Sequence, residues 1–201
     1  MKKIILLFAV SIFFTACKSK EEKAEILAKQ AMKGVIANYE TYEPIETTID
    51  SAFAPVMTPE NYEFIAQIPN LTRSYAECQE AAKNAKITMD IFSDSEYSSH
   101  QETYKDAKEK YEKNSQRVAE IENMMRNFYS KVEKLSKEKP VFNGYKVHHK
   151  YRFVNDNDKK EIGEFLFLMD EDLTEVKAKL DLNDEVLKAM FEESKLSRIS
   201  E

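Results

Sequence analysis

The chain of 201 residues has no tryptophan, three glycines, five prolines and two cysteines. So few glycines leave little room for glycine-rich phosphate loops, dinucleotide fingerprints or propeller repeats, all of which depend on backbone freedom. Two cysteines exclude a disulfide scaffold. Cations are in the minority, Lys+Arg 30 against Asp+Glu 36, for a formal charge of −6. That balance argues against general nucleic-acid binding, where clustered Lys and Arg must neutralise phosphates. What the chain does carry is 42% hydrophobic and 11% aromatic residues, enough to fold rather than remain disordered. Its length fits one domain of ordinary size or two small ones.

Met1-Lys2-Lys3 precedes the apolar run Ile4 to Phe14, followed by Thr15-Ala16-Cys17 and the polar Lys18-Ser19-Lys20. Two cations, a short apolar run and a small-residue exit are the parts of a secretory signal peptide. The run falls short of the ~20 residues a membrane-spanning helix needs. Phe14-Thr15-Ala16-Cys17 resembles the lipobox of bacterial lipoproteins, with Phe14 where that motif usually has leucine. The resemblance implies cleavage before Cys17, a diacylglycerol on its thiol and a further acyl group, of the palmitate kind, on the new N-terminus. Several buried acyl chains give stable membrane anchoring. Residues 1–16 are then a leader and 17–22 a lipidated tether. Lys18-Ser19-Lys20-Glu21-Glu22 also resembles the lysine-plus-acidic export signals of Bacteroidota lipoproteins. These resemblances imply a cell-envelope protein on the outer membrane, at its periplasmic face or at the cell surface. Cys78 reads either as a small buried hydrophobe in a helix or as a thiol that pairs between chains.

From Glu21 to about Tyr39, residues Ala24, Leu27, Ala28, Ala31, Val35 and Tyr39 recur at three and four, one face of a helix. Gly34 inside it costs about 1 kcal/mol relative to alanine. After Pro44, Ile45, Thr47, Ile49, Ser51 and Phe53 alternate with Glu46, Thr48, Asp50 and Ala52, a half-buried strand that Pro55 ends. Thr58-Pro59-Glu60 has the order of a helix start, and Pro69 is expected to break or kink that helix.

Asn70 to Lys139 contains neither glycine nor proline. Ile68, Tyr75, Ala82 and Met89 recur every seven residues, as do Leu71, Cys78, Ala85 and Phe92. Tyr104, Tyr111, Val118, Met125 and Val132 form a second register with Ala107, Asn114, Ile121, Phe128 and Leu135. Two such seams predict two helices at coiled-coil geometry, folded into an antiparallel hairpin about Ser95. Ser99 and Glu102 fit a capping box for the second helix. Folding there sets Ala82 and Ala85 against Tyr111 and Tyr104, and Asn114 near Cys78. After Pro140 the period returns to two: Tyr145, Val147, His149, Tyr151 and Phe153 face one way, Lys146, His148, Lys150 and Arg152 the other. Asn155 to Asp158 is a turn. Ile162 to Met169 is a central strand, and Thr174, Val176, Ala178 and Leu180 mark another. Asn183-Asp184-Glu185 caps a last helix with Val186, Leu187, Met190 and Phe191.

The fold expected is α+β: a four-stranded antiparallel sheet packed on an N-terminal helix, within one domain spanning 23–201. A long helical hairpin at 59–139 is inserted after the first strand. The helix-then-meander order resembles cystatin-like or NTF2-like folds, which implies nothing about function.

His148 and His149 point to opposite faces of a strand and cannot grip one metal together. Asp156 and Asp158 lack the glycine and distal glutamate of a calcium loop. Nucleophile-elbow, zinc-protease and kinase signatures are missing. No catalysis, cofactor or metal is therefore expected; convergence of His149, Asp156, Asp158 or Glu164 in a cleft would point the other way. The expected activity is non-covalent binding to an envelope protein partner through the hairpin or through a basic stripe of Lys146, His148, Lys150 and Arg152. The alternative is a small-ligand module with a pocket at Tyr145, His149 and Tyr151. Asp50-Ser51-Ala52 resembles the O-glycosylation acceptor triplet of exported Bacteroidota proteins, which marks Ser51 as a candidate.

Overall fold

The computed structural model describes residues 18–199, with side chains as far as residue 192. The leader, the lipobox-like residues and Cys17 lie outside the described residues. The chain forms two compact units: one holds everything up to Ala66 together with Pro140 onward, the other is Gln67–Lys139. The second unit falls within the hairpin expected at 59–139, whose residues contact chiefly each other.

The first unit begins with helix α1 (Lys20–Met32). The Ser19 hydroxyl accepts from the Glu22 N–H at 3.2 Å, and the Glu22 carboxylate accepts from the Ser19 N–H at 3.1 Å. This reciprocal capping box starts the helix at Lys20, inside the segment expected to be tether. Only Lys18 and Ser19 of the described residues precede it. α1 ends at Met32 rather than near Tyr39, because Gly34 supplies neither helix propensity nor packing: nothing lies within 4 Å of where its side chain would be. Tyr39 falls in a short 3₁₀ turn and donates its hydroxyl to the Lys29 carbonyl at 3.1 Å, so it still packs on α1.

Four strands follow: β1 (Glu43–Ala54), β2 (Val141–Val154), β3 (Lys160–Met169) and β4 (Val176–Asp181), an antiparallel sheet in sequence order. One face buries Val147, Tyr151, Phe165, Phe167 and Met169 against Ala24, Ala28 and Met32 of α1. The small residues at 24 and 28 let the helix approach closely enough for the aromatic rings of β2 and β3 to fill the gap. The opposite face is also covered. Leu166, Leu168 and Leu180 pack with Tyr62 and Ile65, at the start of α2 (Pro59–Phe92), and with Leu187, Met190 and Phe191 of α4 (Glu185–Ile199). Burial on both sides is why β3 reads as an almost unbroken apolar run instead of an alternation. β1 is an edge strand and departs from its expected half-burial. Thr47 and Ile49 are half-buried, whereas Ile45 and Phe53 stay 45% and 42% exposed. Where β2 passes the end of β3, Gly144 has φ +136°, and any side chain there would run into the Met169 carbonyl.

In the second unit, α2 continues through Pro69 without the expected break and is followed by α3 (Ser98–Leu135). An interior proline costs about 3 kcal/mol of helix stability. Here the apolar seam on both sides, with Ile68 buried and Leu71 half-buried, outweighs it. Every residue of the two predicted seams is buried or half-buried. The Tyr75 hydroxyl donates across the hairpin to Glu122 at 3.0 Å. Ala85 lines a crevice between the helices with Thr88, Thr103 and Ala107. Asn114 turns its amide to the Lys110 carbonyl of its own helix at 2.7 Å, so that bond does not cross the seam. The Ser99–Glu102 box does not form. α3 starts two residues earlier than that box would set it, with Tyr97 at the cap position and making no side-chain cap bond.

Candidate functional site

The three residues expected to line a pocket on the sheet are all buried. Tyr145, His149 and Tyr151 alternate along β2 toward α1 and are 8%, 0% and 2% exposed. Cross-strand pairing sets His149 beside Thr47 of β1 and Phe165 of β3. Its Nδ1 is 2.8 Å from the Thr47 hydroxyl and its Nε2 is 2.6 Å from the Tyr42 hydroxyl. A neutral imidazole needs one donor and one acceptor, and two hydroxyls satisfy both. Burial pushes the His149 pKa down to about 4; Glu25 opposes this, while Lys29 and His148 add to it. The same burial raises the Tyr42 phenol above its ordinary value. The cluster is a hydrogen-bonded part of the core beneath α1. Tyr151 also lines a recess of ≈260 Å³, shared with Phe153, Asp156 and Asn183. It accepts from Asn183 Nδ2 at 3.4 Å.

The basic stripe on the other face is neutralised by its neighbours. Lys146 faces Asp50 at 3.5 Å, Lys150 faces Glu164 at 3.4 Å and Arg152 faces Glu43 at 3.4 Å. Glu164 also bonds His148 Nε2 at 2.8 Å. Partial burial disfavours the Glu164 charge, but the bonds from His148 and Lys150 outweigh it and hold the carboxyl below its ordinary value. These pairs come from register, since Asp50 lies opposite Lys146 and Glu164 opposite Lys150. A stripe whose cations all face carboxylates offers an anionic partner little net field.

His149 and Glu164 face opposite sides of the sheet and do not converge. Asp156 and Asp158 are exposed in the β2–β3 turn, where Asn155 Oδ1 accepts from the N–H groups of Asn157 and Lys159. Among the described residues, no cluster of three or more His, Cys, Asp or Glu is placed to hold a metal ion. Ser51 is exposed on β1, and Cys78 is half-buried in α2.

Three features escaped the sequence reading. The first is a mostly apolar cavity of ≈330 Å³ in the first unit, between the sheet and α4. Its walls include Tyr62, Ile65, Leu166, Leu187 and Phe191, and its one charged lining group is Lys146. The Lys146 side chain is only 15% exposed and its ion pair is long, to an Asp50 carboxylate that is 71% exposed. Burial raises the Tyr62 phenol to about 12. The second is the turn end of the hairpin. Ile87, Ile91 and Tyr97 are 48%, 67% and 72% exposed there, while the seam residues beside them are covered. His100 anchors this end, its ring 4.8 Å from Phe92 and 5.4 Å from Tyr97, its Nδ1 2.7 Å from the Ser95 hydroxyl. Both isoleucines fall outside the two heptad registers, and an off-seam apolar residue was the signal available to find them. The third is an apolar cluster at the β1–β2 end of the sheet, formed by Phe53, Val141 and Phe142. Among the described residues, no helix is long and apolar enough to cross a membrane. No family model, curated protein or solved structure matches the chain.

Proposed function

We propose that the protein is an envelope lipoprotein, anchored to the outer membrane through a diacylglycerol on Cys17, that works by non-covalent binding of a protein partner and not by catalysis. The anchor rests on the Phe14–Cys17 motif. The binding role rests on one observation, the exposed Ile87, Ile91 and Tyr97 at the end of a hairpin whose seam is otherwise covered. Large apolar side chains held out on a rigid, well-packed helix pair are the usual anchors of a protein interface. Asp90, Asp94 and Glu96 stand in the same short segment, so the fitting partner has an apolar groove with a basic rim.

The test is photo-cross-linking from position 91 in native envelopes. A second protein should be captured, and Tyr97→Asp should abolish its capture without altering the helical circular dichroism. Capture of this chain alone would overturn the partner reading. Intact mass of the wild type, with Cys17→Ser as control, checks the anchor separately.

A second reading is favoured by the cavity beneath α4. An apolar chamber with one poorly exposed ammonium and a phenol on its wall suits an amphiphile with a carboxylate head. Calorimetry with decanoate and with decyltrimethylammonium should show binding of the anion only, weakened at least tenfold by Lys146→Met. Equal binding of both, or of neither, removes this reading.

A further inference from the structure

Three exposed apolar residues of the first unit gather at one end of the sheet. Val141 is 61% exposed, Phe53 42% and Phe142 37%. Their rings form a connected set: Phe53 meets Phe142 edge-on at 6.2 Å, and Phe142 meets Tyr145 at 5.3 Å. Tyr145 in turn lies beneath the Lys20 ammonium, 5.0 Å from its ring centroid. Lys20 is the first residue of α1, and the Ser19–Glu22 capping box fixes that helix start. Cys17 is three residues upstream. A fully extended chain covers at most ~3.6 Å per residue, so the thiol-bearing residue lies within roughly 10 Å of the Lys20 backbone. No long tether intervenes.

We infer that Phe53, Val141 and Phe142, with the Lys20 ammonium group near them over Tyr145, form a membrane-resting face of the first unit that lies in the phospholipid interface next to the anchored Cys17. This rests on the lipoprotein reading above. A phospholipid surface is the occupant that fits. Rings and a branched aliphatic partition into the acyl boundary while lysines reach the phosphates, the division of labour seen in interfacial anchors. Proximity to the acyl chains supplies the effective concentration that a patch of three side chains alone lacks. Glu21 and Glu22 sit on the same helix turn, and Glu22 is held in the capping box. Lys177 donates to the Asn143 carbonyl at 3.4 Å, which keeps a further cation at this end of the sheet.

The chain's lack of tryptophan makes the test clean. Phe142→Trp and Ile162→Trp each introduce a single reporter; Ile162 is 56% exposed and pairs with Arg152, toward the other end of β2. Each acylated full chain is reconstituted in phosphatidylethanolamine/phosphatidylglycerol vesicles carrying brominated acyl chains. Phe142→Trp should shift its emission to the blue and lose at least half its intensity. Ile162→Trp should be unaffected. With Phe53→Asp and Val141→Asp added, quenching at position 142 should fall at least threefold while intact mass still shows the lipid. If the lipid is present and position 142 is not quenched, or both reporters are quenched alike, the face is refuted and the anchor stands. If no lipid is found on Cys17, both fall.

Discussion

His149 gives the most direct check on the packing of the sheet, because its surroundings fix a number. The ring is fully buried, stacked 6.0 Å from Tyr151 and bonded at both nitrogens by Tyr42 and Thr47. A charge there would lose its hydration, which is why burial leads the causes that lower its pKa from 6.5 to about 4. The sign follows from linkage. Below 6.5 the unfolded chain takes up a proton that the folded protein refuses, so acid favours unfolding. The contribution is intact above pH 6.5, declines as pH falls, and is spent below about 4. At about 1.36 kcal/mol per pH unit, the loss is about 2 kcal/mol at pH 5 and about 3 kcal/mol at the limit. With a urea m-value of roughly 2 kcal/mol/M, the midpoint should drop by about 1 M between pH 7.5 and pH 5 from this residue alone.

The assay has two parts. Proton NMR of the imidazole carbon-bound hydrogens should show one of the three histidines remaining neutral until pH falls to about 4. Urea unfolding of wild type and His149→Gln should then diverge with pH. His100 and His148 are common to both proteins, so the difference isolates position 149. The variant should be less stable at pH 7.5 by about 1–3 kcal/mol, since it leaves a buried hydroxyl short of a partner. That gap should narrow by about 2 kcal/mol at pH 5. A midpoint near 6.5 for every histidine, or a gap constant with pH, would refute the buried cluster.

Three further perturbations address the fold. Pro69→Ala restores the missing hydrogen bond inside α2 and should raise stability by about 1–3 kcal/mol in thermal unfolding; a loss would mean that the helix is interrupted there. Gly163→Ala places a methyl group against the Tyr151 ring, which lies directly over this glycine on the paired strand, and should lower stability by about 1–3 kcal/mol. A Tyr151→Ala background should relieve most of that penalty, and equal penalties in both backgrounds would contradict the contact. Phe167→Ala should cost about 3–5 kcal/mol in chemical unfolding, as for any fully buried ring with no neighbour free to fill the space.

The hairpin and the sheet order were legible because each rests on a period the sequence must keep. A seven-residue repeat has to put Ile121 and Phe128 inside, and alternation has to put Val147 and His149 on one face. Turn chemistry was legible for the same kind of reason, as with Asn155, whose side chain bonds the backbone two and four residues on. Helix ends were less so. In sequence Gly34 reads as an internal defect of a longer helix, while the chain ends α1 just before it, and the Ser95 hydroxyl meets His100 at the hairpin turn.

The missed sites share a physical origin. Alternation says which residues share a face and nothing about what covers that face. Lys146, His148, Lys150 and Arg152 read as a solvated stripe because Asp50, Glu164 and Glu43 come from other strands and meet them only through register. The apolar wall of α4, which begins beyond β4, makes that side a second core layer. Once both faces are covered, the interior of each strand is committed to packing, and a contact surface has to lie where the covering stops. Several exposed apolar groups follow this: Ile91 and Tyr97 stand at a hairpin turn, Phe53 at the end of an edge strand and Val141 and Phe142 at the first residues of β2. In this sheet unit, then, aromatic and basic periodicity marks what is used to fold, and the exposed apolar residues Phe53, Val141 and Phe142 lie at strand ends, where the covering layers stop.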